Sequence, residues 1–237
     1  MTARVSPSAP AIPEIRLRNI SKTYRRSGVP VPALHGIDIE IAPGEFAAIM
    51  GPSGSGKSTL LHILGLVDTE YEGSYELGGR VVSGFSSDEL SSLRNGEIGF
   101  VFQSFHLLPQ LTVLENAALP ALYARNRPPE VCRAQARVRV EEMGLGDRLL
   151  HRPHELSMGQ RQRVAIGRAL INEPRVLLAD EPTGALDSKT ADEILGIFSE
   201  LHSRGSTIVL VTHNREVALA AQRIVHVRDG QIHDGMA

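Results

Sequence analysis

Nine consecutive residues, Gly51-Pro52-Ser53-Gly54-Ser55-Gly56-Lys57-Ser58-Thr59, have the types and spacing to hold phosphate. Glycines let the backbone curl until successive N–H groups face one oxyanion. Lys57 can reach the β- and γ-phosphates of a nucleotide, and the Ser58 hydroxyl suits Mg²⁺. Two adjacent carboxylates, Asp180 and Glu181, follow the apolar run Val176-Leu177-Leu178-Ala179. Such a pair is costly unless a cation or a proton uses it. It suggests one oxygen ligand for Mg²⁺ and one general base. Gln103 and His213 end two other apolar runs. Ligands gather at the carboxyl ends of α/β strands, although Gln103 taken alone reads equally well as a mere strand end. Tyr24 either stacks on adenine or is a surface tyrosine.

The surrounding elements must put these residues together. Phe46–Met50 reads as a buried strand before the phosphate loop, and Leu60–Gly65 as a helix closed by glycine. Ile15/Leu17 and Ile37/Ile39/Ile41 alternate with polar residues and predict two antiparallel strands. Further buried strands are predicted at Ile98–Phe102, Val176–Ala179 and Thr207–Val211. A hairpin is predicted over Ile224–Ile232 around Asp229-Gly230. Helices are expected from Ser87 or Asp88, from Thr112 with Glu115 as its capping box, and from Pro128-Pro129 to Met143-Gly144. Pro120 is expected to kink or end the Thr112 helix. Ser157 caps a helix that Pro174 stops, and another helix runs from Thr190 to Leu201.

The composition is that of an ordinary globular chain, 42% hydrophobic and 22% charged over 237 residues. Net charge is −2, aromatics are 4% and tryptophan is absent. These features disfavour a nucleic-acid partner. The single cysteine, Cys132, excludes an internal disulfide framework and reads as a structural or surface thiol. No run approaches the roughly 18–20 apolar residues that span a bilayer. Residues 1–13 carry no apolar leader segment and read as a mobile tail. A cytoplasmic location is expected.

In chain order, the phosphate loop, Gln103, Leu156-Ser157-Met158-Gly159-Gln160, Val176 to Glu181, Ala185-Leu186-Asp187 and His213 form a set. It resembles the ATP-binding cassette (ABC) family of transporter subunits. The stretches Ser83–Leu90, Ile98–Pro109 and Leu111–Asn116 are similar to the macrolide-export, lipoprotein-release and cell-division type. The resemblance implies an α/β P-loop NTPase with a RecA-like parallel-sheet core, an antiparallel β subdomain and an inserted α-helical subdomain. The expected boundaries are residues 14–95 and 165–237 for the core and flap, and 96–164 for the helical part.

The resemblance further implies a homodimer or cassette pair that sandwiches ATP and Mg²⁺. In it Tyr24 stacks on adenine and Gly51 to Thr59 hold the phosphates. Gln103 touches Mg²⁺ and the attacking water, and Asp180 holds Mg²⁺ with Ser58. Glu181 is the base, and His213 clasps the γ-phosphate. Ser157, Gly159 and Gln160 meet the other protomer's nucleotide, and Asp187 signals across the dimer. Met158 departs from the usual glycine of that motif. A membrane permease is expected to contact the region after Gln103, with the cassette peripheral on the cytoplasmic face of the inner membrane. Other readings are a nucleotide switch acting on a cell-division or cell-wall partner, or a soluble ABC ATPase.

Overall fold

A computed structural model describes residues 12–124 and 127–233. The tail expected over residues 1–13 lies almost wholly outside them.

The chain opens with two long antiparallel strands, β1 (Ile15–Arg26) and β2 (Val29–Ile41). Ile15, Leu17, Ile37, Ile39 and Ile41 all turn inward, as their alternation requires. β3 (Phe46–Met50) then enters a different sheet and leads through the glycine loop into α1 (Lys57–Leu64). β4 (Glu72–Leu77) and β5 (Arg80–Val81) return to the first sheet, whose order is β2-β1-β4-β5. α2 (Ser87–Glu97) is capped by Ser86, one residue before the expected cap. Ser86 and Glu89 bond each other's backbone N–H.

β6 (Ile98–Phe102) pairs with β7 (Val176–Asp180), so it is an edge strand of the core sheet. The helical insertion therefore starts after Phe102 and not at residue 96. It contains α3 (Val113–Leu122), α4 (Pro129–Glu142) and the start of α5 (Met158–Ala169). α3 runs past Pro120 to Leu122, because the missing N–H deprives only the Asn116 carbonyl so close to the helix end. α5 closes at Leu170, before Pro174. α6 (Ser188–Ser203) starts two residues ahead of Thr190, because the Asp187 side chain caps it. β8 (Thr207–Thr212), α7 (Arg215–Ala218), β9 (Arg223–Arg228) and β10 (Gln231–His233) complete the order β10-β9-β3-β8-β7-β6.

β9, β3, β8, β7 and β6 are mutually parallel. Both faces of this sheet are covered, which explains why β3, β6, β7 and β8 read as nearly unbroken apolar runs. Ala47, Ile49, Leu178, Val209 and Val211 face α1 and the antiparallel sheet. Phe46, Ala48, Leu177, Ala179, Ile208 and Leu210 face the other way, with Ile194 and Phe198 of α6. The insertion has its own small core, including Ala117, Ala121, Ala136, Val140 and the buried Cys132, which is therefore a packing residue.

Candidate functional site

Gly51 and Gly56 are fixed by close approach. A Cβ on Gly51 would lie 2.0 Å from the Val227 carbonyl oxygen, and one on Gly56 would lie 2.7 Å from that of Ala33. Gly56 also sits at φ +102, where L side chains are strained. It is the N-cap of α1 and offers no side chain to the helix's first N–H groups. Those donors, with the positive end of the helix dipole, are free for an anion. Ser55 is buried, and its hydroxyl has no partner among the described residues. Lys57 is buried too, with its ammonium folded onto the loop's own carbonyls, 2.8 Å from both Gly51 O and Pro52 O. An orphaned hydroxyl, free N–H groups and a cation over the loop fit a polyphosphate.

The sheet register delivers the other candidates to the same edge. Met50 pairs with Thr212, Val211 with Asp180, and Asp180 with Phe102. The phosphate loop, His213, Asp180-Glu181 and Gln103 thus leave four neighbouring strands side by side. Burial, and next the Glu181 charge, push the Asp180 carboxyl up; His62 and Lys57 pull it the other way.

Glu181 has φ +45, rare for a non-glycine residue. Its N–H donates to Val211 O at 2.9 Å. Its Oε1 accepts from the His213 N–H at 3.0 Å and faces His213 Nδ1 at 2.6 Å. Its Oε2 accepts from the Thr212 hydroxyl at 3.1 Å. Gln103 is exposed and lies against the loop beyond Glu181, where a Cβ on Gly184 would meet its Nε2 at 2.8 Å.

Tyr24 belongs to β1 and is 38% exposed. Its hydroxyl donates to Asp68 Oδ2 at 2.9 Å, and the Lys22 ammonium lies 4.9 Å from its ring centre. Lys22 is itself buried and paired with Asp68 at 2.7 Å, so the ring is held in place. Burial pushes the phenol up, while a hydrogen bond to Thr59 of α1 opposes that shift.

Ser157, Gly159, Gln160 and Asp187 form a separate patch. Ser157 and Gln160 cap the start of α5 reciprocally, at 2.9 and 3.2 Å. Gly159 is buried against α6, where an added Cβ would lie 2.4 Å from Thr190 Cγ2. Asp187 accepts from Thr190 N at 3.0 Å and from its hydroxyl at 2.7 Å, bonds that hold its carboxyl below the usual range. Ser157, Gly159 and Gln160 line an open cavity of about 290 Å³ with Arg163, Thr190 and Glu193. None of the described hydrogen bonds joins these four residues to residues 51–59.

Several residues at the site carry no signal in the sequence reading. Thr212 and Gln162 are buried polar side chains next to the Glu181 loop. A polar residue directly before His213 at the end of an apolar run was the available hint. The segment after Gln103 is held by two others. Arg168 donates to Phe105 O and His106 O, and burial lowers its pKa. The buried Asn116 side chain bonds Leu108, Leu111 and Thr112. Beside this segment lies a groove of about 480 Å³, lined among others by Asp88, Arg94, Phe100, Pro120 and Tyr123. No described helix is long and apolar enough to cross a membrane.

Comparison with known proteins agrees with this geometry. Residues 34–184 match the ABC transporter family. The chain is 50% identical over 220 residues to the macrolide export ATP-binding/permease protein MacB 1/2 of Paracoccus denitrificans (strain Pd 1222), covering 93% of this chain and 33% of that one. It thus spans about a third of the length of that relative. It is also 50% identical over 218 residues to the uncharacterized ABC transporter ATP-binding protein YknY of Bacillus subtilis (strain 168), covering 92% of this chain and 94% of that one. The solved dimeric structure of MJ0796, a bacterial ABC transporter cassette, superposes with a TM-score of 0.84 at 43% identity, covering 92% of this chain and 96% of that one. A post-hydrolysis dimer of the same cassette, bound to ADP and Pi, gives 0.85 at 42% identity with the same coverage. The chain belongs to the ABC transporter family, as one of its ATP-binding, ATP-hydrolysing cassettes.

Proposed function

We propose that this cassette hydrolyses ATP at a seam between two copies and passes the resulting motion to a membrane permease. The observation that carries the reading is the split of the candidate residues. One group lies along four strand ends, and the Ser157 patch lies apart. In this reading residues 51–59 bind the triphosphate and Tyr24 stacks on its base. Ser157, Gly159 and Gln160 of a second copy cover the γ-phosphate, and Asp187 relays across the seam.

Lys57 leaves the carbonyls of Gly51 and Pro52 for the β- and γ-phosphates. Glu181 accepts a proton from the attacking water through a carboxylate oxygen, which makes the water a nucleophile. Gln103 orients that water, and His213 supports the γ-phosphate. Asp180 and Ser58 are the residues that would hold Mg²⁺. A partly desolvated carboxylate suits a cation that takes few protein oxygens and otherwise uses phosphates and water. When bound, Mg²⁺ offsets charge on the phosphate oxygens. Loss of the γ-phosphate removes the contacts that hold the seam closed, so hydrolysis opens it.

The permease would dock at the groove by Tyr123, next to Gln103, and would keep the cassette at the cytoplasmic face of the inner membrane. The near full-length match to YknY supports a permease on a separate chain; the MacB relatives support the macrolide-export type. Sizing with ATP tests the seam. Glu181→Gln should elute as a dimer with ATP, and adding Ser157→Arg should return it to a monomer that still binds ATP. A dimer of unchanged size in the double variant would refute the cross-protomer reading. Copurification with a membrane protein, abolished by charge at Tyr123, tests the docking groove.

A further inference from the structure

Gln162 lies on α5 and is fully buried. Its Nε2 donates to the Pro182 carbonyl at 2.8 Å, and its Oε1 has no partner among the described residues. A proline carbonyl can only accept, so the amide nitrogen must face it and Oε1 must face the interior. An unpaired buried carbonyl destabilises the fold. A leucine or methionine would fill the same space without that orphan, but would leave the Pro182 carbonyl unpaired instead. The bond to Pro182 is therefore what the polar side chain supplies.

Pro182 is joined directly to Glu181. The backbone of Glu181, held at φ +45, is thus anchored on two sides: by Val211 of β8 through its own N–H, and by Gln162 of α5 through the next carbonyl. Ser157, the N-cap of α5, is five residues before Gln162. At 1.5 Å rise per residue the two are about 7–8 Å apart along one hydrogen-bonded helix. Over that span the helix moves as a rod.

We propose that Gln162 is a positioning residue that ties Glu181 to the Ser157 end of α5. Displacement of Ser157 by the partner copy's nucleotide shifts Pro182 and sets Glu181 within its own chain. Each copy's base thereby reads occupancy of the opposite site. This rests on the reading of Glu181 as the base and of Ser157 as the contact to the other nucleotide.

The test uses Gln162→Leu and Gln162→Met in the full chain, with Glu181→Gln and Ser157→Arg measured alongside. Both Gln162 variants lose the orphaned oxygen but leave the Pro182 carbonyl without its donor, so melting temperature should stay close to that of the native chain. ATP affinity should be unchanged, and the ATP-dependent dimer should still form in a Glu181→Gln background. Turnover should fall roughly 10- to 100-fold, the scale of an ångström-sized misplacement at a reacting group. The Hill coefficient for ATP, bounded by the two sites of a dimer, should drop towards one. Turnover within about twofold of native with unchanged cooperativity would overturn the inference. So would a lost dimer, or a loss of turnover that tracks a lowered melting temperature in both variants. If Glu181→Gln itself hydrolyses normally, or Ser157→Arg still dimerises, the underlying reading fails instead.

Discussion

His213 Nδ1 lies 2.6 Å from Glu181 Oε1, and the His213 backbone N–H donates to the same oxygen. With the Thr212 hydroxyl on Oε2, both oxygens of this carboxylate are occupied by donors from the end of β8. The imidazole is the movable member, since the His213 side chain is 66% exposed while Thr212 is buried. In the proposed mechanism, turning the ring away opens Oε1 to a proton, while the His213 N–H and the Thr212 hydroxyl keep the carboxylate in place.

Replacing Glu181 with Gln removes the proposed proton acceptor while keeping the side chain's size. Turnover should fall by about 10²-fold or more, the low end for losing a general base. ATP binding should persist. Phosphate release followed by a coupled assay checks the first, and equilibrium titration the second.

Lys57→Ala removes the ammonium that now rests on Gly51 O and Pro52 O. Charge-assisted bonds of this kind contribute about 1.5–3 kcal/mol each. ATP affinity should fall at least about tenfold by calorimetric titration, with the fold retained in circular dichroism.

Asp180 bears a carboxyl whose pKa is raised by burial and by Glu181. The folded state therefore holds its proton more tightly than the unfolded chain. Ionisation costs stability, with no penalty below the ordinary carboxylate range and the full penalty above the raised value. Asp180→Asn without nucleotide should melt a few degrees higher at neutral pH, since about 1 kcal/mol moves a domain of this size by about 2–4 °C. The difference should vanish as the pH falls through the carboxylate range. Thermal stabilisation by Mg²⁺ with ATP should be lost.

Gly159→Ala places a methyl group 2.4 Å from the Thr190 methyl. Overpacking costs about 1–3 kcal/mol, and the melting temperature should drop accordingly. Thr190→Ser deletes the opposing methyl and keeps the hydroxyl on Asp187. The double variant should recover most of the loss, a non-additivity read directly from a double-mutant cycle.

The parallel core was legible because each buried strand is an unbroken apolar run ending in one reactive residue, as Val176–Ala179 ends in Asp180-Glu181. The α3 and α5 caps were legible because capping boxes are local. The position of Ile98–Phe102 in the core sheet was not, since an edge strand and the start of an insertion look alike without the pairing to Val176–Asp180. Gln162 and Thr212 were hidden for a similar reason. Their partners lie 20 and 31 residues away, and only folding brings them together. Gly159 was expected to approach a phosphate; within one chain its lack of a side chain makes room for Thr190.

The place of β3 in the sheet bears on the order in which the protein becomes competent during synthesis. β3 lies between β8 and β9, and the loop after it leans on Val227 and accepts from the Gly230 N–H through Ser55 O. Residues 51–59 leave the ribosome well before the strands and turn that wall them, β8, β9 and Gly230. A nascent chain that has emerged only through α5 carries every residue of the loop but lacks β8, β9 and Gly230 around it. On the proposed reading of residues 51–59 as the phosphate site, nucleotide capture waits for the arrival of residues near 230.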